Sequence, residues 1–206
     1  MNKQLLLATH NPAKKIELRE GFSLLEKKGI TLLFLDDLQI TEDPEETGST
    51  FEENAKLKSE YFAKLSGLPT VADDGGIMID ALSGEPGVHS KRWLGRTATD
   101  HELVAYTLKR LHTVPMQQRT ARFHIALWYT NPTKHTHQLS TADLKGSIAM
   151  QVGPDAKQGF PYRSLFIVDQ FKKYYDELTI AEHHTANHRL KAVQKLIPHI
   201  INDLIQ

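Results

Sequence analysis

The sequence predicts an α/β protein, and three observations predict it. Residues 4–8, Gln-Leu-Leu-Leu-Ala, make a continuous apolar run of strand length, and the segment AKKIELREGFSLLEKKG behind it repeats its apolar residues Ile16, Leu18, Phe22 and Leu25 at helical spacing. A second apolar run, ITLLFL, follows Gly29, so the chain opens as strand, helix and strand. Capped helices and β-branched strands then go on alternating to the end of the chain.

The first strand ends in Thr9-His10-Asn11-Pro12, where Asn11 suits a helix N-cap and Pro12 the first helical position, and Gly29 stops that helix before the second strand. Residues 36–49, DDLQITEDPEETGS, form an acidic polar loop. The next helix, TFEENAKLKSEYFAKLSG, starts with a capping box of Thr50 and Glu53 and should end near Gly67. After Pro69 the short strand TVA leads into Asp73-Asp74-Gly75-Gly76, followed by the apolar IMIDAL and the turn-rich SGEPG. Residues 99–112 read as a helix capped by Thr99, and residues 120–130, TARFHIALWYT, have the content of a strand with hairpin-like material continuing to about residue 150. The final segment HRLKAVQKLIPHIINDLI reads as an amphipathic helix interrupted by Pro198. No repeat, low-complexity tract or linker divides the 206 residues, which are taken as one domain, residues 1–206.

Bulk properties narrow the function. The 25 Lys and Arg balance the 25 Asp and Glu, so no global basic field draws the chain to nucleic acid or an anionic membrane. Cysteine is absent, which excludes a disulfide framework and thiolate metal sites and fits a reducing compartment. No apolar segment is long enough for a signal peptide or a membrane span, so a soluble cytoplasmic protein is expected.

Two segments can carry chemistry. THNPAKK leads from a strand into a helix N-terminus, where unpaired N–H groups and the positive dipole end favour an anion. Lys14 in that first turn opposes the dipole, a placement easier to explain if a phosphate is its neighbour, although the segment also reads as an ordinary capped surface helix. The second segment holds Asp73 and Asp74, which Glu45, Glu46 or Glu53 can join from the preceding loop and helix. Neighbouring carboxylates repel unless a cation neutralises them, and hard oxygen ligands select magnesium or manganese completed by substrate phosphates. Gly75 and Gly76 allow a sharp turn and a close ligand approach, and the same residues also suit a solvated Asp-Gly turn in a hairpin. The histidines at 135, 137, 183, 184 and 188 show no spacing typical of zinc.

Taken together, three motifs resemble the inosine triphosphate pyrophosphatase family, enzymes that hydrolyse aberrant purine nucleoside triphosphates. ATHNPAKKIE is similar to the family's A-T-x-N-x-x-K-x-x-E loop, TGSTFEENAKLKS to its T-G-x-T-F-x-E-N-A-x-x-K-A helix, and VADDGGIMIDALSGEPGVHSKRWLG to A-D-D-S-G-L-x-V-D-A-L-x-G-x-P-G-x-x-S-A-R. The resemblance implies an elongated mixed β-sheet with flanking helices, two lobes around a central cleft, and a homodimer. It implies magnesium-dependent cleavage of the α–β phosphoanhydride, with manganese as a substitute ion and a purine nucleoside triphosphate as the small-molecule partner. By matching positions, Thr9, His10, Asn11, Pro12, Ala13 and Lys14 hold the triphosphate with Gly75 close by, Glu46 and Asp74 hold the metal, Asp74 also orients or deprotonates the attacking water, and Lys58 offsets phosphate charge.

The last third departs from the family pattern. Gly159-Phe160-Pro161-Tyr162-Arg163-Ser164-Leu165-Phe166 stands where the family has G-F-G-Y-D-P-I-F, and His183 replaces the lysine of K-N-x-I-S-H-R while His188 and Arg189 remain. Gly75 stands in place of a serine. In the family these loops line the base pocket, where His188 and Arg189 would donate to the O6 of hypoxanthine or xanthine and Phe160 would stack on the ring. A binding protein that keeps the nucleotide cradle with altered base specificity or without turnover is the alternative expectation.

Overall fold

A computed structural model of the chain describes residues 3–155 and 159–205. Among the described residues seven strands, β1 (Lys3–Ala8), β2 (Ile30–Phe34), β3 (Thr70–Ile79), β4 (Thr120–Asn131), β5 (Thr136–Ile148), β6 (Phe166–Val168) and β7 (Lys173–Tyr174), form one sheet in the order β2-β1-β3-β4-β5-β6-β7. β1 runs parallel to β2 and β3, whereas β6 pairs antiparallel with β5 and β7, so the sheet is mixed, and the α/β class holds. The described residues also form five α-helices: α1 (Pro12–Lys27), α2 (Phe51–Ser66), α3 (Asp100–Arg110), α4 (Ile180–Ala186) and α5 (His188–Ile205). Among the described residues no helix is long and apolar enough to cross a membrane.

The chain separates into two compact units. One contains the residues up to Asp74, Ile125–Ala142 and the residues from His188 on; the other contains Gly75–His124 and Asp143–Asn187. In the first unit Leu5 and Leu7 of β1, Leu18, Phe22 and Leu25 of α1, and Val193, Leu196 and Ile200 of α5 share one core. A Cβ on Gly21 would lie 3.0 Å from Val193, so α1 and α5 come together where α1 has no side chain. A smaller core of Leu6, Ala8, Leu35, Phe62 and Ala72 seats α2. The second unit has its own core, built from Ile77, Ile79, Leu103, Leu144, Phe166 and Tyr175. Beside that core Arg119 is almost fully buried, and its guanidinium donates to the carbonyls of Leu111, Val114 and Ala149.

Local signals placed most boundaries. Asn11 caps α1 by accepting from the backbone N–H groups of Ala13 and Lys14, with Pro12 in the first turn. Thr50 and Glu53 form the capping box of α2, and Gly67 ends it in the left-handed region at φ 70°. Three expectations need correction. Ile16 is 71 % exposed, so the buried face of α1 is carried by Leu18, Phe22 and Leu25. Asp73, Asp74, Gly75 and Gly76 do not turn: they lie inside β3, a single strand from Thr70 to Ile79, because β1 holds Thr70–Ala72 in a parallel ladder and the apolar residues beyond the glycines enter the second core. Pro198 does not interrupt α5, since Leu196, Ile197 and Ile200 around it are buried and their packing outweighs the hydrogen bond that proline deletes.

Candidate functional site

Alternation along a strand divides the adjacent carboxylates. Successive side chains leave β3 on opposite sides, so Asp73 and Asp74 acquire different partners. Asp73 is 2 % exposed and lies 2.9 Å from the Lys14 ammonium and 3.4 Å from Nε of Arg189. Burial by itself would push its pKa up, but Lys14, Arg189 and Lys58 together outweigh burial and hold the carboxyl well below the usual range. Arg189 also donates through Nη1 to Glu17 of α1. It sits in the first turn of α5, a helix fixed against α1 by Leu190 and Val193.

Asp74 faces α2. Asn54 donates from Nδ2 to its Oδ2 at 3.2 Å, and the Lys58 ammonium lies 3.5 Å from Oδ1 while donating to Glu46 Oε1 at 2.7 Å. Burial pushes Asp74 upward, Lys58 pulls it down, and the nearby charges of Glu46 and Asp73 help leave it above the ordinary value. Lys58 is pulled down by burial, yet Asp74, Asp73 and Glu46 prevail and raise it, so it stays an ammonium. Four carboxylates, Glu17, Glu46, Asp73 and Asp74, thus share the three cations Lys14, Lys58 and Arg189.

The three candidates for a second metal-ligating carboxylate separate clearly. Glu53 is engaged by the N–H and hydroxyl of Ser49 and the N–H of Thr50. Glu45 is exposed, whereas Glu46 shares Lys58 with Asp74. Among the described residues no group of three or more His, Asp or Glu side chains converges as a ready-made metal cage. Two hard carboxylates on one ammonium, in a cluster with more negative than positive groups, fit a magnesium ion that takes its remaining ligands from water and phosphate.

The strand-to-helix corner adds donors to the same unit. Thr9 is 8 % exposed and its Oγ1 accepts from the N–H of Asn11. Asn11 Oδ1 is committed to capping, which leaves Nδ2 as its donating end. His10 lies 3.8 Å from both Asp36 and Asp43, and Pro12 and Ala13 form the first turn of α1. His188 is buried at the start of α5.

The remaining predicted residues fall in the second unit. Gly75 lies inside β3, not in a turn. Phe160, Pro161, Tyr162 and Arg163 open a 3-10 turn at Pro161–Leu165, in which the Tyr162 hydroxyl donates to the Ser90 carbonyl at 2.6 Å. The Arg163 guanidinium lies over two rings, 3.8 Å from the centroid of Phe160 and 4.6 Å from that of Tyr175. The Tyr175 hydroxyl is 3.1 Å from His183 Nε2.

Sequence reasoning missed Glu17 and Asn54. Glu17 lies three residues after Lys14 on α1, and Asn54 four residues before Lys58 on α2, so helical spacing was the available signal for both.

The fold and this cluster define an α/β protein whose strand-to-helix corner brings a lysine to a strand-borne aspartate, beside a second aspartate that faces a helix-borne lysine. Known proteins share this architecture over nearly the whole chain. The family model described as the Ham1 family matches residues 5–199, and the chain belongs to that family. It is 40 % identical over 194 residues to a dITP/XTP pyrophosphatase of Geobacillus kaustophilus, covering 94 % of this chain and 92 % of that protein. A dITP/XTP pyrophosphatase of Bacillus subtilis is 39 % identical over 194 residues, covering 94 % of this chain and 95 % of the relative. Among solved structures, a HAM1 protein from Coxiella burnetii superposes with a TM-score of 0.85 at 32 % identity, covering 97 % of this chain and 99 % of that one.

Proposed function

We propose that this chain hydrolyses noncanonical purine nucleoside triphosphates, namely those of inosine, deoxyinosine and xanthosine, to the monophosphate and pyrophosphate, and so clears aberrant nucleotides from the pool. The observation that carries this reading is the joining of two ion pairs through adjacent residues of one strand: Lys14 with Asp73 and Lys58 with Asp74. The Lys14 corner and the Asp74 seat thereby adjoin on one strand, and Lys58 acts on both carboxylates, which ties the two pairs electrostatically. Relatives named dITP/XTP pyrophosphatase, at about 40 % identity, support the same reaction.

The chemistry asks mainly for charge neutralisation and in-line positioning. Thr9, His10, Asn11 and the first turn of α1 with Pro12, Ala13 and Lys14 receive the triphosphate, and Lys58 adds a second cation. Glu46 and Asp74 would hold magnesium, or manganese in its place, and the bound ion supplies neutralisation of the phosphate oxygens. Asp74 takes the proton of the attacking water as its oxygen bonds to the α-phosphorus, and the α–β bridging oxygen leaves with pyrophosphate. Phe160, Pro161, Tyr162, Arg163 and His183 are the residues the reading assigns to the base, whereas Arg189 donates to Asp73 and Glu17 beside Lys14. A homodimer, on the strength of the family resemblance, and a cytoplasmic location, on the absence of cysteine, complete it.

One observation favours a second reading, in which base preference has changed or turnover has been lost. Arg163 covers the face of Phe160, so a purine stacking on that face must displace the guanidinium or stack upon it. Incubating the protein with a panel of nucleoside triphosphates under magnesium or manganese, and scoring pyrophosphate against orthophosphate, separates the readings. Pyrophosphate from inosine or xanthosine triphosphate upholds the hydrolase, and saturable binding with no product upholds the binder.

A further inference from the structure

We infer that Asn54 is a positioning residue that aims Asp74 and fixes the loop carrying Glu46, an inference that rests on the hydrolase reading above. Asn54 is 2 % exposed on the face of α2 that also bears Lys58, one helical turn later. Its amide oxygen accepts the Gly48 N–H at 2.8 Å, and its Nδ2 donates to Asp74 Oδ2 at 3.2 Å. Only one orientation of the amide serves both partners, because the N–H of Gly48 needs an acceptor and the carboxylate needs a donor.

The loop is shaped to this contact. A Cβ on Gly48 would lie 2.6 Å from Asn54 Oδ1 and 2.8 Å from Glu53 Cβ, so the approach requires glycine. Two residues earlier Glu46 accepts from Lys58, and Lys58 faces the other oxygen of Asp74. Each oxygen of Asp74 therefore has its own partner from one helix face, and rotation of the carboxylate about its Cβ–Cγ bond is restrained from both sides. The same amide anchors the backbone that delivers Glu46. Asn54 acts on the reaction through these two carboxylates.

Two variants divide its contacts. In Asn54→Ala both hydrogen bonds are lost, whereas Asn54→Asp keeps the acceptor for Gly48 and sets an oxygen against Asp74 Oδ2. Steady-state kinetics on inosine triphosphate with saturating magnesium should show kcat falling about 10- to 100-fold in both, the range expected for a hydrogen bond to a charged group, with KM within about threefold of the parent. Mn2+ titrated into nucleotide-free Asn54→Ala and followed by electron paramagnetic resonance should bind several-fold more weakly. A merely structural role predicts a lower melting temperature with kcat of the folded protein intact, and that result overturns the inference, as does a raised KM with unchanged kcat. If Asn54→Ala does not fold, kcat of Asn54→Asp decides. Should the parent protein release no pyrophosphate, the hydrolase reading fails by itself, and the Mn2+ titration then stands as the test: unchanged affinity rejects the positioning role and weakened affinity upholds it.

Discussion

Replacing Lys14 with methionine removes the nearer of the two cations on Asp73 and keeps a side chain of similar length. Asp73 is buried, its partner at 2.9 Å is lost, and Arg189 remains at 3.4 Å. Breaking a buried pair costs about 3–5 kcal/mol when one partner is left alone. Two features reduce that figure here: Arg189 still neutralises part of the charge, and burial pulls the Lys14 pKa down, so removing the ammonium relieves a desolvation cost. A ceiling also exists, because the stranded carboxyl can take up a proton; from its ordinary pKa of 3.8, that costs about 4 kcal/mol at pH 7. The expected loss at pH 7 is about 2 kcal/mol. Its sign with pH follows from linkage. Asp73 is depressed in the parent, so its stabilisation is present above 3.8 and is lost only as pH falls through the still lower folded value. With the nearest cation gone, burial, the largest single influence on this carboxyl, should prevail over Arg189 and Lys58 and raise the folded pKa, so the carboxyl is expected to destabilise above its unfolded value and that penalty to fade as it protonates. Urea unfolding of both proteins in chelator, at steps from pH 7.5 to 4.5, should show a gap that narrows towards acid by at most about 1.4 kcal/mol per pH unit. A gap of constant size across that range would refute the electrostatic account and leave lost packing as the cause.

Other perturbations give independent tests. Asp74→Asn should lower pyrophosphate release by about 100- to 10,000-fold while circular dichroism stays that of the parent, and full activity in this variant would remove Asp74 from the mechanism. Stripping divalent ions with chelator should abolish turnover and added magnesium or manganese should restore it, as followed by pyrophosphate release; undiminished turnover in chelator would rule out the metal role of Glu46 and Asp74. Arg119→Met removes the guanidinium from the carbonyls of Val114 and Ala149 and leaves that of Leu111 with the Val114 N–H, and calorimetry should show a destabilisation of about 3 kcal/mol with the KM of the folded enzyme unchanged. Arg163→Asp frees the Phe160 ring and restores an acceptor, so the ratio of kcat/KM for inosine to xanthosine triphosphate should change severalfold, whereas an identical ratio would place Arg163 outside base selection.

How legible the site was in the sequence depends on the range of each contact. Asn11 as cap, the Thr50 and Glu53 box and the stop at Gly67 rest on interactions spanning a few residues, and all three are present. The acidic pair was visible as composition, but its division of labour was not. Adjacent glycines suggested a turn, and only pairing with β1 makes the segment a strand whose alternation sends Asp73 and Asp74 to different partners. Arg189 reaches Glu17 across 172 positions, a separation at which no local pattern operates. The choice among Glu45, Glu46 and Glu53 likewise needed the loop path, which spends Glu53 on the cap.

The bond from Arg189 to Glu17 and Asp73 has a consequence for synthesis. Glu17 and Arg189, the two ends of the clamp, stand 172 positions apart, so the second leaves the ribosome only after all the residues between them have been made. A nascent chain that stops short of α5 keeps the Lys14 pair on Asp73 without that of Arg189, and lacks Leu190 and Val193, the residues that pack on Gly21. The two-cation clamp on Asp73 is therefore complete only once α5 has emerged, and until then the buried carboxylate is held from one side alone.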